Sequence, residues 1–427
     1  MNERLKKPGL QENNVVLLDS SFQLNELKKF EQKTDKIITF GYESHKLLLK
    51  HEIPHEISDD YLTVQDASDV QNNSYNFIKW SDEPAVSSFL DYEGINLGKL
   101  FFVELHNILV PFLKSFLEIV RIHQKHPNGN FFVTPKLYPI ISSLTESVTI
   151  IQTHDDLIQK SVLPSIKYGI KIGRKQFTIS LSDKHFQKIK NFTEIFIHTF
   201  FSSKTKLQNK KNVLLIEFSP TRYKRFFSNM PISNLNAVLH NRRIPSIWNL
   251  ESLSMIKKSK CTVTTIHSLL NNNVKNLINH GIQYEKIQIN CLWENKDFFE
   301  SYFSLNGISF WSILKPTFIR LFEARISEYI KEIEITKELL NKHHFSSILI
   351  WSESGVHEQI AIFLAKKLNI KIALIQHGLY DDTMEAHIFN QLGLLPNYSD
   401  KFLVWGETLK KYAISCGVPS EKIEVIG

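Results

Sequence analysis

At 427 residues, with 42% hydrophobic and 22% charged side chains, the chain has the balance of a folded globular protein and is too long for one ordinary core. Its 51 Lys and Arg against 44 Asp and Glu give a net charge of +7, which favours anionic partners such as nucleotide-sugars, phospholipid headgroups or nucleic acid. Cys261, Cys291 and Cys416 lie far apart with no CxxC pair, which argues against a disulfide framework or zinc site, and the basic start "MNERLKKPGLQENN" lacks the apolar core of a secretory signal.

The first part of the chain alternates strand and helix: "NVVLLDSS", "FQLNELKKFEQKT", "DKIITFG", "YESHKLLLKHEI" and the extended "PHEISDDYL" predict a small α/β unit of βαβ type over 1–71. A mainly helical connecting region is expected over 72–208, where Phe102, Leu105, Leu109, Leu113, Phe116 and Val120 share one face at a period of 3.6. The apolar stretch "LGKLFFVELHNILVPFLKSFLEIVRIHQKHP" contains Glu104, His106, Lys114 and Glu118. A charge near a bilayer centre costs about 2.5–3.5 kcal/mol, so this reads as a buried or membrane-facing helix rather than a span. "HPNGN" ends it, short extended pieces follow in "NFFVTPKLYPIISSLTESVTIIQ", and "DKHFQKIKNFTEIFIHTFFSSKTK" predicts a helix.

From 209 onward "KNVLLIEF", "LNAVLHNRR", "CTVTTI", "SSILIW", "KIALIQHG" and "KFLVWG" are apolar strands, most of them separated by helices. That alternation predicts a Rossmann-like parallel sheet covered by helices over 209–427, with a long amphipathic helix at about Trp311–His343. The chain stops on Gly427 after the strand "KIEVIG", so a further domain is expected to follow.

Ligands of open α/β sheets bind beyond the carboxyl ends of the strands, which directs attention to two turns. Ser352, Glu353, Ser354 and Gly355 lie between a strand and the helix "HEQIAIFLAKKL", where free backbone N–H groups suit an anion or a sugar hydroxyl; Ser352 or Ser354 would equally serve as helix caps. Glu353 and Glu358 stand at the same helix start as acceptors of hydrogen bonds or as a base. His377 ends the strand "KIALIQ" and Gly378 lets the backbone turn sharply, so His377 is the expected base on an acceptor hydroxyl. Arg222 in "SPTRYKRFF", and Arg242 and Arg243 in "HNRRIPSIWN", follow strands and would bind phosphate or carboxylate. The loop after His377 holds Asp381, Asp382, Glu385 and His387, but their spacing matches no metal motif. No metal, cofactor or nucleic-acid partner is expected. Ser354 lacks the flanking glycines of a hydrolase nucleophile elbow, since Ser352 and Val356 occupy those positions.

"SESGVHEQIAIFLAKKLNI", "IKIALIQHG" and "NYSDKFLVWGETLKKYAISCGVPSEKIEVIG" resemble the amino-terminal domain of two-domain GT-B glycosyltransferases, over about Ser346–Gly427. The resemblance is to capsule and surface-polysaccharide enzymes that include CDP-glycerol glycerophosphotransferases and polysialyltransferases, with UDP-N-acetylglucosamine 2-epimerases sharing the architecture. It implies a cytoplasmic transferase, with peripheral attachment to the inner face of the cell membrane as an alternative, and maps a candidate acceptor base onto His377, with Gly378 beside it. The donor would be a nucleotide-activated sugar or polyol, held by a second domain beyond Gly427, and the acceptor a glycan or lipid-linked chain. Without that second domain residues 1–427 are expected to be inactive alone. Two other readings stay open: a sugar-nucleotide epimerase or hydrolase of the same fold, and a non-catalytic module that binds carbohydrate or a partner.

Overall fold

Apolar runs rich in β-branched residues become the strands of two separate parallel sheets. The architecture is that of a computed structural model describing residues 14–24, 36–151, 166–172, 175–181, 195, 211–232, 235–380 and 393–427. The chain divides into two units, each discontinuous in sequence: Met1–Ile78, Leu105–Val162 and Asp297–Ile319 form the first, and Lys79–Glu104, Leu163–Lys296 and Arg320–Gly427 the second.

In the first unit β1 (Asn14–Leu18), β2 (Lys36–Thr39), β3 (Glu56–Ile57), β4 (Asn130–Val133) and β5 (Val148–Ile150) form one sheet in the order β3-β2-β1-β4-β5, all parallel. Val15, Val16 and Leu17 are fully buried, as the central strand of a doubly covered sheet requires. Helices α1 (Tyr42–Lys50) and α2 (Val64–Ile78) follow β2 and β3. The apolar α3 (Phe102–Lys125) follows, and the helical stretch Leu97–Lys125 is long and apolar enough to cross a membrane by length and composition. Nine α3 residues are nevertheless buried within the protein, among them Glu118, which takes a 2.7 Å hydrogen bond from Lys114. An aromatic cluster completes this unit: Phe303 stacks on Phe77 at 5.6 Å, and Phe310 meets Phe116 at 5.2 Å.

This sheet corrects the expected boundary at 71. The region expected to be mainly helical, 72–208, supplies β4 and β5 to the sheet of the supposed small unit, and also an antiparallel hairpin of β6 (Ile166–Ile172) and β7 (Lys175–Leu181). The physical reason is pairing distance: Asn14 finds Asn130 as its neighbour, a partnership that no local pattern announces. The expected helix over 183–206 and most of the one over 22–34 lie outside the described residues.

The second unit is built on β8 (Lys211–Ile216), β9 (Leu235–His240), β10 (Thr262–Val263), β11 (Phe345–Ile350), β12 (Lys371–Ile375), β13 (Lys401–Val404) and β14 (Ile423–Val425). Their order is β10-β9-β8-β11-β12-β13-β14, all parallel, so the fold is α/β with a Rossmann-like sheet covered by helices. Leu214, Leu215, Ile348 and Ile350 are at most 0% exposed and anchor the centre, each worth about 1.5–3 kcal/mol when fully buried. Around the sheet run α4 (Lys224–Asn229), α5 (Leu250–Ser259), α6 (Asn272–Leu292), α7 (Trp311–Lys342), α8 (Val356–Lys367) and α9 (Glu407–Ser415). The chain leaves β8 toward β10 on one side and returns to β11 on the other, which opens a crevice at the carboxyl ends of β8 and β11.

Candidate functional site

Trp351, the residue after β11, organises that crevice. Its indole N–H donates to the carbonyl of Glu217 at 2.9 Å, the Arg243 and Arg222 guanidiniums lie 5.2 and 6.0 Å from its ring, and His377 meets it edge-on at 5.2 Å. Glu217 itself has a φ of 60°, a left-handed conformation uncommon for a side chain of this size, at the end of β8. That geometry brings its carboxylate under the backbone N–H groups of Arg242 and Arg243, at 2.5 and 2.9 Å. Arg243 also pairs with Glu358, and burial lowers its guanidinium pKa from the usual value against the pull of Glu217.

A cavity of about 600 Å³ opens beyond β11 and β12. Ser352, Ser354, Gly355, His377 and Gly378 line it together with Arg243, so the two turns singled out in the sequence share one site. The Ser352 and Ser354 hydroxyls hydrogen-bond each other at 2.9 Å. Neither caps α8: Gly355 is its N-cap, with no side-chain bond to the helix, which corrects the expected serine cap. A Cβ at position 355 would run into the carboxylate end of Glu358, so glycine here leaves room for that side chain beside Arg243.

His377 is half-buried, and burial, reinforced by the Arg222 charge, holds its imidazole below the usual 6.5, so it is neutral at physiological pH. Its Nδ1 is shut away from solvent without a hydrogen-bond partner among the described residues. A base at this position therefore acts through Nε2, with the hydrogen on Nδ1.

Three expected site residues are turned to other tasks. Glu358 is fully buried as the counter-ion of Arg243 and does not line the cavity, which removes it as a candidate base. Arg242 is 5% exposed and forks onto Glu332 with bonds of 2.9 and 2.6 Å, leaving it no freedom to grip a ligand. Glu353 is buried and accepts from the backbone N–H groups of Asn397, Tyr398 and Ser399 at 2.6, 2.9 and 2.7 Å, and from the Ser399 hydroxyl. It staples the segment before β13 to the turn after β11. Glu353→Ala should cost at least about 2 kcal/mol in denaturant melts, because several buried donors lose their acceptor at once. A loss below about 0.5 kcal/mol would show that water replaces the carboxylate. Arg222 stays at the crevice, donating to the His377 carbonyl at 3.4 Å.

Other wall residues were not singled out for a site by the sequence. Glu104, Arg325, Glu328, Tyr329, Glu332 and His357 line the same cavity. Tyr329 donates to Glu104 at 3.0 Å, and burial followed by that carboxylate pushes its phenol well above its usual range. Arg325 bonds Glu328 at 3.0 Å. The spacing 325, 328, 329 and 332 along α7 was a readable signal, since it places four polar residues on one helical face. Asp381, Asp382, Glu385 and His387 lie outside the described residues; among the described residues no group of three or more metal-ligating side chains is found.

No protein-family model matches the chain, and no curated protein matches it. Among solved structures, the chain is similar at 7% identity and a TM-score of 0.22 to one described as "Adenylation, ketoreductase, and pseudo Asub multidomain structure of a keto acid-selecting NRPS module". That match covers 98% of this chain and 38% of the other, and a likeness of this size carries no argument.

Proposed function

We propose that the chain is a transferase of surface-polysaccharide synthesis, in which the second sheet presents an acceptor hydroxyl to His377. The supporting observation is the convergence of a neutral, half-buried imidazole and the uncapped start of α8 on one cavity at the sheet's carboxyl edge. The acceptor gives its proton to Nε2 of His377 while its oxygen displaces the nucleotide from the activated carbon or phosphorus of a nucleotide-linked sugar or polyol. Free N–H groups at the α8 start hold a phosphate or hydroxyl of the substrate. A glycan or lipid-linked acceptor fits this reading, and so do a cytoplasmic location and peripheral attachment at the membrane.

His377→Ala should lower the acceptor-dependent rate at least ~100-fold while leaving the melting temperature nearly unchanged. The rate limb due to His377 should fall only below pH 6.5, because its pKa is depressed and the neutral form is the active one. An unchanged rate per folded molecule would remove His377 from the mechanism. Turnover of the donor with no acceptor present would point instead to an epimerase or hydrolase of the same fold, and donor binding without any turnover to a binding module.

A further inference from the structure

A second cavity, of about 470 Å³, lies beyond the carboxyl ends of β8 and β9. It shares Arg243 and Trp351 with the crevice beside His377, and its other walls include Arg222, Tyr223, Asn241 and Trp248. Trp248 is 53% exposed, a large flat face kept on a cavity wall instead of in a core. Asn241 is 8% exposed, and its Nδ2 donates to the Phe218 carbonyl at 2.8 Å, which fixes the orientation of the amide. Its Oδ1 has no hydrogen-bond partner among the described residues and is shut away from solvent, so the amide shapes this wall without offering an acceptor to it. The nearby start of α5 offers little to an anion, because Asn249 and Ser252 close it with a capping box. Positive charge without a carboxylate partner among the described residues comes from Arg222, while the Arg243 guanidinium is shared with Glu358 and has Glu217, another wall residue, 3.8 Å away; both arginines lie over Trp351 where the two cavities meet.

We propose that this second cavity takes the base and ribose of a nucleoside phosphate, with the base against Trp248 and the phosphate between Arg222 and Arg243. An aromatic face accepts any base, guanidinium groups match phosphate oxygens, and the volume lies in the range of small-molecule sites. Whatever group the phosphate carries extends into the first cavity toward His377. The donor is then held by the second sheet of this chain rather than by a domain beyond Gly427. Only this last step, the identity of the nucleotide as a transfer donor, rests on the transferase reading.

The test is calorimetric titration of the full chain with CMP, UMP, AMP and GMP, with cytidine, and with inorganic phosphate. At least one nucleotide should bind more than tenfold tighter than phosphate. Trp248→Ala should weaken it about tenfold, the size of one lost base–aromatic stack. Arg222→Gln should weaken the nucleotides and leave cytidine unaffected, and both residues are exposed enough for the variants to fold. The proposal fails if no nucleotide binds tighter than phosphate, or if Trp248→Ala, shown folded by circular dichroism, binds as the parent does. The two readings fail separately. Nucleotide binding without transfer sinks the transferase reading alone, while acceptor-dependent transfer indifferent to Trp248 sinks this site alone.

Discussion

Glu332→Ala should destabilise the protein by about 3–5 kcal/mol, the cost of leaving one partner of a buried ion pair alone. Arg242 and Glu332 have side chains 5% and 6% exposed, and two charge-assisted hydrogen bonds join them across ninety residues of sequence. Burial by itself would raise the Glu332 carboxyl, but the Arg242 charge and its hydrogen bonds overcome that and hold it well below the carboxylate range. A depressed carboxyl contributes stability above its unfolded pKa and loses it as pH falls through the folded one. The contribution should therefore persist at mildly acidic pH and vanish only in strong acid. Urea melts of Glu332→Ala, Arg242→Met and a double variant with Glu332→Leu and Arg242→Met check this. The double variant should recover most of what either single change loses, because no buried charge is left unpaired. A Glu332→Ala protein within about 1 kcal/mol of the parent would mean that solvent reaches Arg242.

The second large effect has the opposite sign: Glu285→Gln should stabilise the protein at alkaline pH. Glu285 sits in α6 at 0% exposure, and neither of its oxygens has a hydrogen-bond partner among the described residues. Burial, followed by the charge of Asp91, pushes its carboxyl up to about 7. Tyr92 stands nearby, its own phenol raised by burial and by Glu334, Glu93 and Glu285, so the surroundings of Glu285 are acidic. With the folded pKa above the unfolded one, the parent loses stability as pH rises from about 4.5 to about 7. At roughly 1.36 kcal/mol per pKa unit the loss is about 3 kcal/mol. Melts at pH 5 and pH 8 should show Glu285→Gln and the parent close together in acid and about 3 kcal/mol apart in base. Identical pH dependence in the two proteins would show that the carboxyl ionises freely.

The second sheet was legible in the sequence because its strands are short, unbroken apolar runs. Val213–Ile216, Ile348–Ile350 and Ala373–Ile375 could be read one by one, and parallel pairing followed from the helices between them. The first sheet was half legible, since β1, β2 and β3 are local while β4 and β5 arrive after α3. At the site, position told more than residue type. Strand ends pointed to His377 and to Ser352, Ser354 and Gly355, and these residues line one cavity. The same reasoning placed Glu353, Glu358 and Arg242 there too, because a sequence shows a charge at a strand end but not the opposite charge that folds over it. An indole just after a central strand is an unusual choice, and Trp351 is the surface on which both arginines rest.

The aromatic cluster of the first unit bears on how the protein is made. Phe77 and Phe116 belong to segments synthesised early, but Phe303 and Phe310, which cover them, belong to the segment Asp297–Ile319. A ribosome adding about 5–20 residues per second therefore leaves these early rings uncovered for some ten seconds or more while the first half of the second unit emerges. The nascent chain has all five strands of its first sheet through that interval but lacks the segment Asp297–Ile319 that completes the unit, which leaves an apolar face open to chaperones. Neither unit can be released from the other by one cut in the chain, because five crossings of the backbone join the six segments that compose them.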